Sequence, residues 1–317
     1  MAALFVSSAL LFIILSHRKQ KQTQTRQQRS RQQGAVIIPR ELLESDYAKE
    51  LKIAVEIALI AGENIMKVRD TLEISNKSIV DFVTATDKEN EKLIMDALMQ
   101  NFPTHKFIGE EESADAGSIA KLTDSPTWIV DPIDGTTNFI HGFPFSCVSI
   151  GLVNEKIVRV GVVVCPHNNE VFLSVRGCGA FLNGRRIAVS NAQSISESLL
   201  LTEFGYQREE ENLDKIFKAL RAVIRKSCHS IRTLGSGVMD LCFVACGRLD
   251  GLWAGIANEN WKPWDYCAGS LILEEAGGVL SQVNGEKFDI MGDSIVACCS
   301  SNLKDELVGV FQSISTK

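Results

Sequence analysis

Two aspartates stand close together in the segment Trp128–Phe145, WIVDPIDGTTNFIHGFPF, directly after an apolar run that predicts a buried strand. The proline between Asp131 and Asp134 fixes its own φ and favours an extended residue before it, so we expect a sharp turn there. Both carboxylates and the carbonyl of Ile133 can then face one point. Oxygen ligands of this kind select hard cations, and they suit Mg²⁺, which shares its ligands with substrate phosphate. The alternative is that the two aspartates are a turn residue and a helix cap.

The glycine that follows these aspartates adds a second chemical possibility. Gly135 lets the backbone approach a ligand closely, and a helix beginning near Thr136 would direct its free N–H groups to the same point. A phosphate group would fit there. A zinc site is not indicated, because the nine cysteines form no pair of CxxC motifs and the five histidines are scattered along the chain.

Three further segments place acidic residues where they could join this site. GEEES, Gly109–Ser113, predicts the end of a strand leading into a loop, and its adjacent glutamates repel one another unless a cation or solvent offsets their charge. Asp265 lies in KPWDYCAGSLILEEAGG, before a helical pattern, and Asp87 lies in VTATDKENEKLI, at the start of an amphipathic helix. Each segment taken alone could be a solvated loop or an ordinary helix cap.

Together and in this order, the four segments resemble the inositol monophosphatase family of Mg²⁺-dependent, Li⁺-sensitive phosphatases. The resemblance runs from about Tyr47 to the C-terminus. It implies an α+β fold, a layered αβαβα sandwich of the inositol monophosphatase / fructose bisphosphatase type, and a homodimer. The activity that it implies is hydrolysis of myo-inositol monophosphate to myo-inositol and phosphate. Histidinol phosphate, a sugar 1-phosphate and phosphoadenosine phosphate are alternative substrates of the same chemistry.

The resemblance also implies the ligands of the metal ions. Glu110, Asp131 and the carbonyl of Ile133 match the ligands of a first Mg²⁺, and Asp131, Asp134 and Asp265 match those of a second. Li⁺ would replace the second ion. A cation lowers the pKa of bound water, so hydrolysis needs no covalent intermediate, and no obvious Cys or Ser nucleophile motif is present.

Catalytic and phosphate-binding roles follow from the same resemblance. Asp87 and Thr136 would orient and deprotonate the attacking water, and the backbone N–H groups of Gly135 and Thr136 would hold the phosphate beside Asp134. Gly205 and Tyr206, after the strand-like LLLTEFGY, are expected in the substrate pocket, although Tyr206 could be a surface aromatic.

The segment before the last metal ligand departs from the family. DGLWAGIANENWKPWD, which ends at Asp265, is longer than the family usually has, and the glutamate that contacts the sugar ring has no unambiguous counterpart. Alignment from the left places Ala254 there, and alignment from the right places Asn258, next to Glu259. Glu259 is therefore the candidate for a displaced substrate ligand, with an exposed loop residue as the alternative. The small Gly237 would leave room for a ring.

Composition and charge restrict the class of protein. With 317 residues and 45% hydrophobic content, the chain can bury a sizeable core. Its formal net charge is −6, and basic residues are concentrated before Glu41, the first acid, so the remainder is clearly acidic. Nucleic-acid binding through a basic face is therefore disfavoured. The resemblance implies a small-molecule phosphate monoester as the partner.

The N-terminus predicts a separate segment. Residues 1–40 are interpreted as an apolar anchor or targeting segment with a disordered basic linker, and residues 41–317 as an inositol monophosphatase-like catalytic domain. Residues 1–16 are almost wholly apolar, and basic residues follow them, which favours membrane association with the enzyme facing the cytosol. A plastid or mitochondrial transit peptide is the alternative. A hypothesis of another class is a membrane-tethered interaction protein with weak activity.

These chemical groups need elements that position them. Apolar spacing predicts a first helix over Ser45–Val68, a second that opens at Asp87 and runs to about Asn101, and antiparallel strands between Phe145 and Ser174. Gly177–Gly184 is expected to be a turn region. The remaining predicted elements alternate: a strand at LLLTEF, a helix over 212–224, a strand over 231–234, a helix over 237–246, a strand near 251–253, a helix over 265–276, strands ending in SIVACCS, and a helix from Leu303.

Overall fold

The structure is a computed structural model that describes residues 36–69, 78–257, 259 and 261–315. The chain divides after Ile37 into two units, and almost all described residues belong to the second, Ile38–Lys317. The predicted apolar segment and basic linker therefore lie almost entirely outside the described residues, and the domain boundary near residue 40 stays a prediction. Within the described part of the chain, no helix is long and apolar enough to cross a membrane.

The first sheet is mixed and follows the order of its strands along the chain. It comprises β1 (Lys106–Gly109), β2 (Thr127–Asp134), β3 (Cys147–Asn154), β4 (Ile157–Cys165), β5 (Glu170–Val175), β6 (Gly179–Leu182) and β7 (Arg185–Arg186). The pair β1–β2 is parallel and the other pairs are antiparallel. The prediction of antiparallel strands after Phe145 is confirmed.

Helices cover this sheet and separate it from a second one. Before the first sheet come α1 (Arg40–Leu43), α2 (Ala48–Arg69) and α3 (Ser78–Asn101); α4 (Glu110–Ala116) and α5 (Thr136–Ile140) are short, and α6 (Glu210–Ile224), α7 (Gly237–Ala245), α8 (Pro263–Glu275) and α9 (Ser301–Ser315) follow. Helices α2 and α3 pack on one face of the first sheet, and α8, which packs against α7, contacts it from β2 to β6.

The second sheet lies beyond α7 and α8. Its order is β11 (Val279–Ser281), β12 (Ile295–Cys298), β10 (Gly251–Ala254), β8 (Leu199–Thr202) and β9 (Ser230–Arg232), and a 3₁₀ turn spans Ile195–Glu197. Helices α6 and α9 pack together, and α9 contacts β11 and β12. The layers therefore alternate helix, sheet, helix, sheet, helix, which is the α+β sandwich that the resemblance implied.

Close packing of α8 on the first sheet depends on two glycines that face each other across β3 and β4. Gly151 pairs with Gly161. A Cβ at Gly151 would stand 2.2 Å from Cys267 Sγ, and one at Gly161 would stand 2.8 Å from the carbonyl oxygen of Ala268. Since Cys267 and Ala268 belong to the first turns of α8, the missing side chains let that end of the helix lie directly on the strands.

Three local predictions differ from the structure. The helix containing Asp87 begins at Ser78, so Asp87 lies in its interior and is not a cap. GEEES is not a loop: Glu110–Ala116 is a helix, because acidic side chains favour a helix N-terminus and Gly109 is extended before it. The expected turn Gly177–Gly184 contains β6, since Gly177 and Gly179 take positive φ in a tight turn that pairs the strand with β5.

Candidate metal centre

Three aspartates meet between the first sheet and the start of α8. One carboxylate oxygen from each of Asp131, Asp134 and Asp265 lies within 4.8 Å of the others. Asp131 and Asp134 come from β2, where both side chains are buried, and Asp265 comes from the first turn of α8. The structure thus brings together aspartates that are far apart in the sequence, in a set that could hold a metal ion.

An irregularity in β2 allows its two aspartates to face the same point. Residues three apart in a regular strand point to opposite faces, but the pairing of β2 with β3 shifts between Asp131 and Asp134. Pro132, which has no N–H to give to a ladder, lies at this irregularity. The N–H of Ile133 donates to Asp131 Oδ1 at 3.0 Å, which holds the bend.

Asp134 is held by the N-terminal end of α7. Its Oδ2 accepts hydrogen bonds from the hydroxyl of Ser236, from the N–H of Val238 at 2.9 Å and from the thiol of Cys147 at 3.6 Å. These three donors reach the same oxygen, and the N–H of Met239 is a further hydrogen-bond donor to the carboxylate. The side chain is thereby fixed before any ligand binds.

Asp265 is oriented by its own helix. Its Oδ2 accepts from the N–H of Lys262 at 2.6 Å, which is the contact of the third helical residue with the cap position. Pro263 begins the helix, where its missing N–H costs nothing. The sequence alternative of an ordinary N-cap is therefore wrong for Asp265, because the cap position belongs to Lys262.

Two more acids lie beside the three aspartates. Glu110 is the first residue of α4, and Asp87 is buried in α3 with no hydrogen-bond partner for its Oδ2 in the described part of the chain. Burial raises the pKa of Asp87 to about 8, and the charge of Glu111 adds to it. Burial likewise raises the pKa of Glu110 to about 8, with Asp87 as the next cause.

Burial and neighbouring negative charges also raise the pKa values of aspartates in the cluster. Burial raises the pKa of Asp131 well above its ordinary value, and Glu110 and Asp134 raise it further. Burial and the charge of Asp134 do the same for the pKa of Asp265. Several carboxylates in one buried place are stable together only when protons or a cation compensate their charge.

The glycine after Asp134 takes a left-handed conformation and lies close to a neighbouring segment, while its predicted approach to a ligand stays a prediction. Gly135 has φ 86°, and a Cβ there would stand 2.9 Å from the carbonyl oxygen of Phe145. Helix α5 begins at Thr136, as expected, and the Thr136 hydroxyl donates to the carbonyl oxygen of Ile133 at 3.0 Å. This bond leaves that oxygen a second lone pair.

Sequence reasoning missed the residues that hold the loop before α7. Glu203 Oε1 accepts from the N–H groups of Leu234 and Gly235 at 2.7 and 2.8 Å. Asn138 Nδ2 donates to the carbonyl oxygens of Leu234 at 2.7 Å and Phe145 at 2.8 Å. The signals were an acid directly after the apolar strand LLLT and an asparagine directly after the threonines of the central motif.

The predicted substrate residues line the same pocket as Glu110 and the three aspartates, and Asp87 is not among the residues that line it. Its volume is about 1040 Å³. Tyr206 is 76% exposed, and its hydroxyl lies 3.1 Å from Thr137 Oγ1. Gly205 approaches the loop that contains Glu259, where a Cβ would stand 2.6 Å from the carbonyl oxygen of Glu259. A Cβ at Gly237 would stand 2.9 Å from the ring of Trp261, so the missing side chain makes room for that ring.

Glu259 is buried, so its interpretation as an exposed loop residue is wrong. It is only 3% exposed, and its Oε2 accepts from the N–H of Ala257 at 2.9 Å. Burial raises its pKa, while hydrogen bonds from backbone groups of its own loop lower it. Of the two aligned alternatives, Ala254 is buried in β10 and Asn258 lies outside the described residues.

Comparison with known proteins gives a consistent family. A model described as the inositol monophosphatase family matches residues 46–316. Inositol monophosphatase 1 of Solanum lycopersicum is 47% identical over 263 residues, 83% of this chain and 94% of the relative. Inositol monophosphatase 1 of Bos taurus is 39% identical over 263 residues, 82% of this chain and 93% of the relative.

Solved structures agree with the sequence comparison. The inositol monophosphatase from Anabaena (Nostoc) superposes with a TM-score of 0.73 at 33% identity, covering 85% of this chain and 97% of that one. The Thermotoga maritima enzyme of the same kind superposes with a TM-score of 0.70 at 27% identity, covering 84% of this chain and 98% of that one. The similarity therefore extends over nearly the whole of these proteins.

Proposed function

The chain belongs to the inositol monophosphatase family, and we propose that it hydrolyses myo-inositol monophosphate to myo-inositol and phosphate with Mg²⁺ as cofactor. The observation that carries the proposal is the cluster of Asp131, Asp134 and Asp265, with carboxylate oxygens within 4.8 Å of one another. The relatives that cover most of the chain carry names that give the same activity.

The donor atoms in the cluster fit a hard divalent cation. They are carboxylate oxygens, with the carbonyl of Ile133 close by, and ligands of this type suit Mg²⁺. Burial and mutual repulsion raise the pKa values of the aspartates, so a cation would relieve an existing cost. We assign a first ion to Glu110, Asp131 and the Ile133 carbonyl, and a second to Asp131, Asp134 and Asp265. Bound Mg²⁺ would supply a lowered pKa for water and compensation for phosphate charge.

The chain's own residues have separate tasks in the proposed reaction. Asp87 accepts the proton of the attacking water, and its unpartnered buried Oδ2 supports this role. Thr136 orients that water, because its hydroxyl proton is committed to the Ile133 carbonyl and its oxygen can accept. The N–H groups of Gly135 and Thr136 hold the phosphate at the start of α5.

We assign the leaving group to the wall of the pocket formed by Gly205, Tyr206, Gly237 and Glu259. The carboxylate of Glu259 lines the pocket, and it would accept a ring hydroxyl in addition to the backbone N–H groups of its own loop. Conversion to Gln tests this contact: Glu259→Gln should raise KM for inositol 1-phosphate and leave kcat nearly unchanged. A lowered kcat at constant KM would remove Glu259 from the ring wall.

A substrate panel tests which compound the enzyme hydrolyses. Phosphate release would be measured with inositol 1-phosphate, histidinol phosphate, galactose 1-phosphate and phosphoadenosine phosphate in parallel. The proposal expects the highest kcat/KM for inositol 1-phosphate. It also expects Li⁺ to inhibit at high Mg²⁺ by replacing the ion at Asp131, Asp134 and Asp265. Insensitivity to Li⁺ would contradict the assignment of that ion.

A second candidate substrate is histidinol phosphate, and the aromatic side chains of the pocket favour it. Tyr206 is 76% exposed and Phe217 56% exposed, and both line the pocket. A flat aromatic side chain can stack on an imidazole ring. If this candidate is correct, Tyr206→Ala will raise KM for histidinol phosphate more than for inositol 1-phosphate.

Assembly and location are further proposals. A homodimer follows from the resemblance, and sedimentation of the protein at two concentrations would test it. Membrane association through residues 1–16, with the enzyme facing the cytosol, rests on the sequence alone, as does the plastid or mitochondrial alternative. Fractionation of cells that express the full chain would separate these locations.

A further inference from the structure

A carboxylate from α3 caps the helix that carries a proposed metal ligand. Glu91 Oε2 accepts from the N–H of Glu111 at 2.9 Å, and Glu91 Oε1 accepts from the N–H of Glu112 at 2.7 Å. The first N–H groups of a helix have no partner within it, and the cap residue Gly109 has no side chain to supply one. Glu91 therefore supplies the cap from another helix.

This external cap determines where α4 begins. Helix α4 has only seven residues, too few to be stable in isolation. Glu91 is 5% exposed, and its hydrogen bonds to N–H groups are of the strong, charge-assisted kind. Because Glu110 is the residue directly before Glu111, fixing the N–H of Glu111 also fixes the backbone from which the Glu110 side chain extends.

Gly109 provides the space that this contact needs. A Cβ at Gly109 would stand 2.4 Å from Glu91 Oε2 and 2.7 Å from Glu91 Oε1. The backbone of Gly109 has φ −109° and ψ 159°, which any residue can adopt. Glycine is thus required at this position for the carboxylate of Glu91 and not for the conformation of the chain.

The same side chain connects the two acids beside the aspartates. Glu91 follows Asp87 by one turn of α3, so both residues lie on the same face of that helix. The charge of Asp87 raises the pKa of Glu110, so the two acids are within electrostatic reach. Glu91 is therefore one link between the helix with Asp87 and the helix with Glu110, and the ion pair of Lys88 with Asp115 is another.

We propose that Glu91 is a positioning residue that sets the place of Glu110 relative to Asp87 and thereby the affinity of the metal ion assigned to Glu110. It acts through α4 and touches neither substrate nor cation. This inference rests on the proposed function, because Glu110 is a metal ligand only by that assignment.

Two variants test the charge of the Glu91 carboxylate and its position separately. Glu91→Gln keeps one acceptor but turns an amide NH₂ toward the other N–H, so the cap is half lost. Gly109→Ala keeps the charge and pushes the carboxylate away. Substitution of a residue that holds a metal ligand in place typically weakens metal binding by ~10-fold or more. We expect about this loss for each variant, and less than the product of both losses in the double variant.

Mn²⁺ binding is measured from the decrease of the EPR signal of the free ion. Phosphate release is measured in parallel at increasing Mg²⁺. Both variants should need more of either metal, while kcat at saturating Mg²⁺ and KM for inositol 1-phosphate stay near their original values. Glu89→Gln is the matched control, because Glu89 is exposed on the same helix. Binding as in the original protein, or a lowered kcat at unchanged Mn²⁺ affinity, would overturn the proposal.

Two further measurements show whether weaker metal binding in a variant is caused by misfolding, and whether the effect of Glu91 depends on the proposed activity. Circular dichroism reports whether each variant folds. If a variant does not fold, Glu91→Asp replaces it, because the shorter side chain cannot reach both N–H groups. Glu91→Asp should show the same weakened Mn²⁺ binding. If the original protein binds Mn²⁺ but releases no phosphate from inositol 1-phosphate, the proposed function fails while the effect of Glu91 on metal binding remains measurable.

Discussion

Asp131 is buried among other carboxylates, and one of its oxygens holds the backbone of its own turn. Oδ1 accepts from the N–H of Ile133, which an asparagine in its place could also do. The negative charge is unfavourable in the protein without metal, because burial and the charges of Glu110 and Asp134 raise the pKa of Asp131. The aspartate is therefore retained at a cost to stability that a function must explain.

Replacing Asp131 should stabilise the metal-free protein. We expect Asp131→Asn to raise the melting temperature in EDTA by about 1–2 °C, the shift that ~1 kcal/mol gives in a chain of this size. Differential scanning fluorimetry measures it, and Asp214→Asn, which removes an exposed charge, should show no shift. A melting temperature lowered in EDTA would contradict the proposed repulsion.

Asp87 and Glu110 predict how stability depends on pH. The pKa of each is about 8 in the folded protein, against ordinary values of 3.8 and 4.5. Because the folded pKa is raised, the fold favours the protonated acids; this stabilisation is complete below about pH 4 and is lost as the pH rises through about 8. The melting temperature in EDTA should fall over that range, and saturating Mg²⁺ should flatten the curve. A pH-independent melting temperature in EDTA would contradict this assignment.

The sequence was sufficient to predict that Asp131, Asp134 and Asp265 meet, because their motifs resemble those of a family. It was not sufficient to predict Glu91, Glu203 or Asn138. Each of these side chains holds backbone groups of a segment distant in the chain, and spacing within one motif contains no information about such a partner. Only the packed elements show that these residues fix the loops around the metal cluster.

Most elements were predictable from periodicity, and the exceptions have physical reasons. The apolar spacing of α2 and the alternation after Leu199 were correctly interpreted as helices and strands. Helix α4 was missed because a run of three glutamates has no apolar period, and its start depends on the carboxylate of Glu91. The start of α3 was placed late because the polar residues around Asp87 were interpreted as a cap.

The contact between α8 and the first sheet predicts a strong effect of one methyl group. Gly151→Ala should destabilise the protein by about 1–3 kcal/mol, since its Cβ would stand 2.2 Å from Cys267 Sγ. Urea unfolding measures this loss. Gly309→Ala is the control: it lies in α9 with no atom near its Cβ, and alanine favours a helix. A Gly151 variant as stable as the control would show that the packing is not tight.

The metal centre combines groups from several layers. Asp131 and Asp134 come from the first sheet, Asp265 from the helices between the sheets, and the wall with Tyr206 from the connection after β8 of the second sheet. Such a site exists only when all layers are assembled, so neither sheet could provide it alone. Sequence reasoning identified the chemistry from motifs and named Glu259 as a candidate for the pocket, but it could not show that this side chain is buried, because the segment is longer than the family usually has.

The separation of the chain after Ile37 predicts that catalysis and location are independent. A protein that begins at Ile38 should release phosphate with the kcat and KM of the full chain, because the acids and the pocket described above all lie after that residue. Parallel assays of the two proteins test this. A large loss of kcat in the shortened protein would show that the N-terminal segment contributes to the catalytic domain.

The most direct test of the whole account is phosphate release from inositol 1-phosphate with Mg²⁺, after removal of metal by EDTA, and after Mg²⁺ is restored. We predict turnover that disappears with the metal, returns with it, and is absent in Asp131→Asn, which remains folded. Release that continues without metal, or that Asp131→Asn retains at the original rate, would contradict hydrolysis at the aspartate cluster.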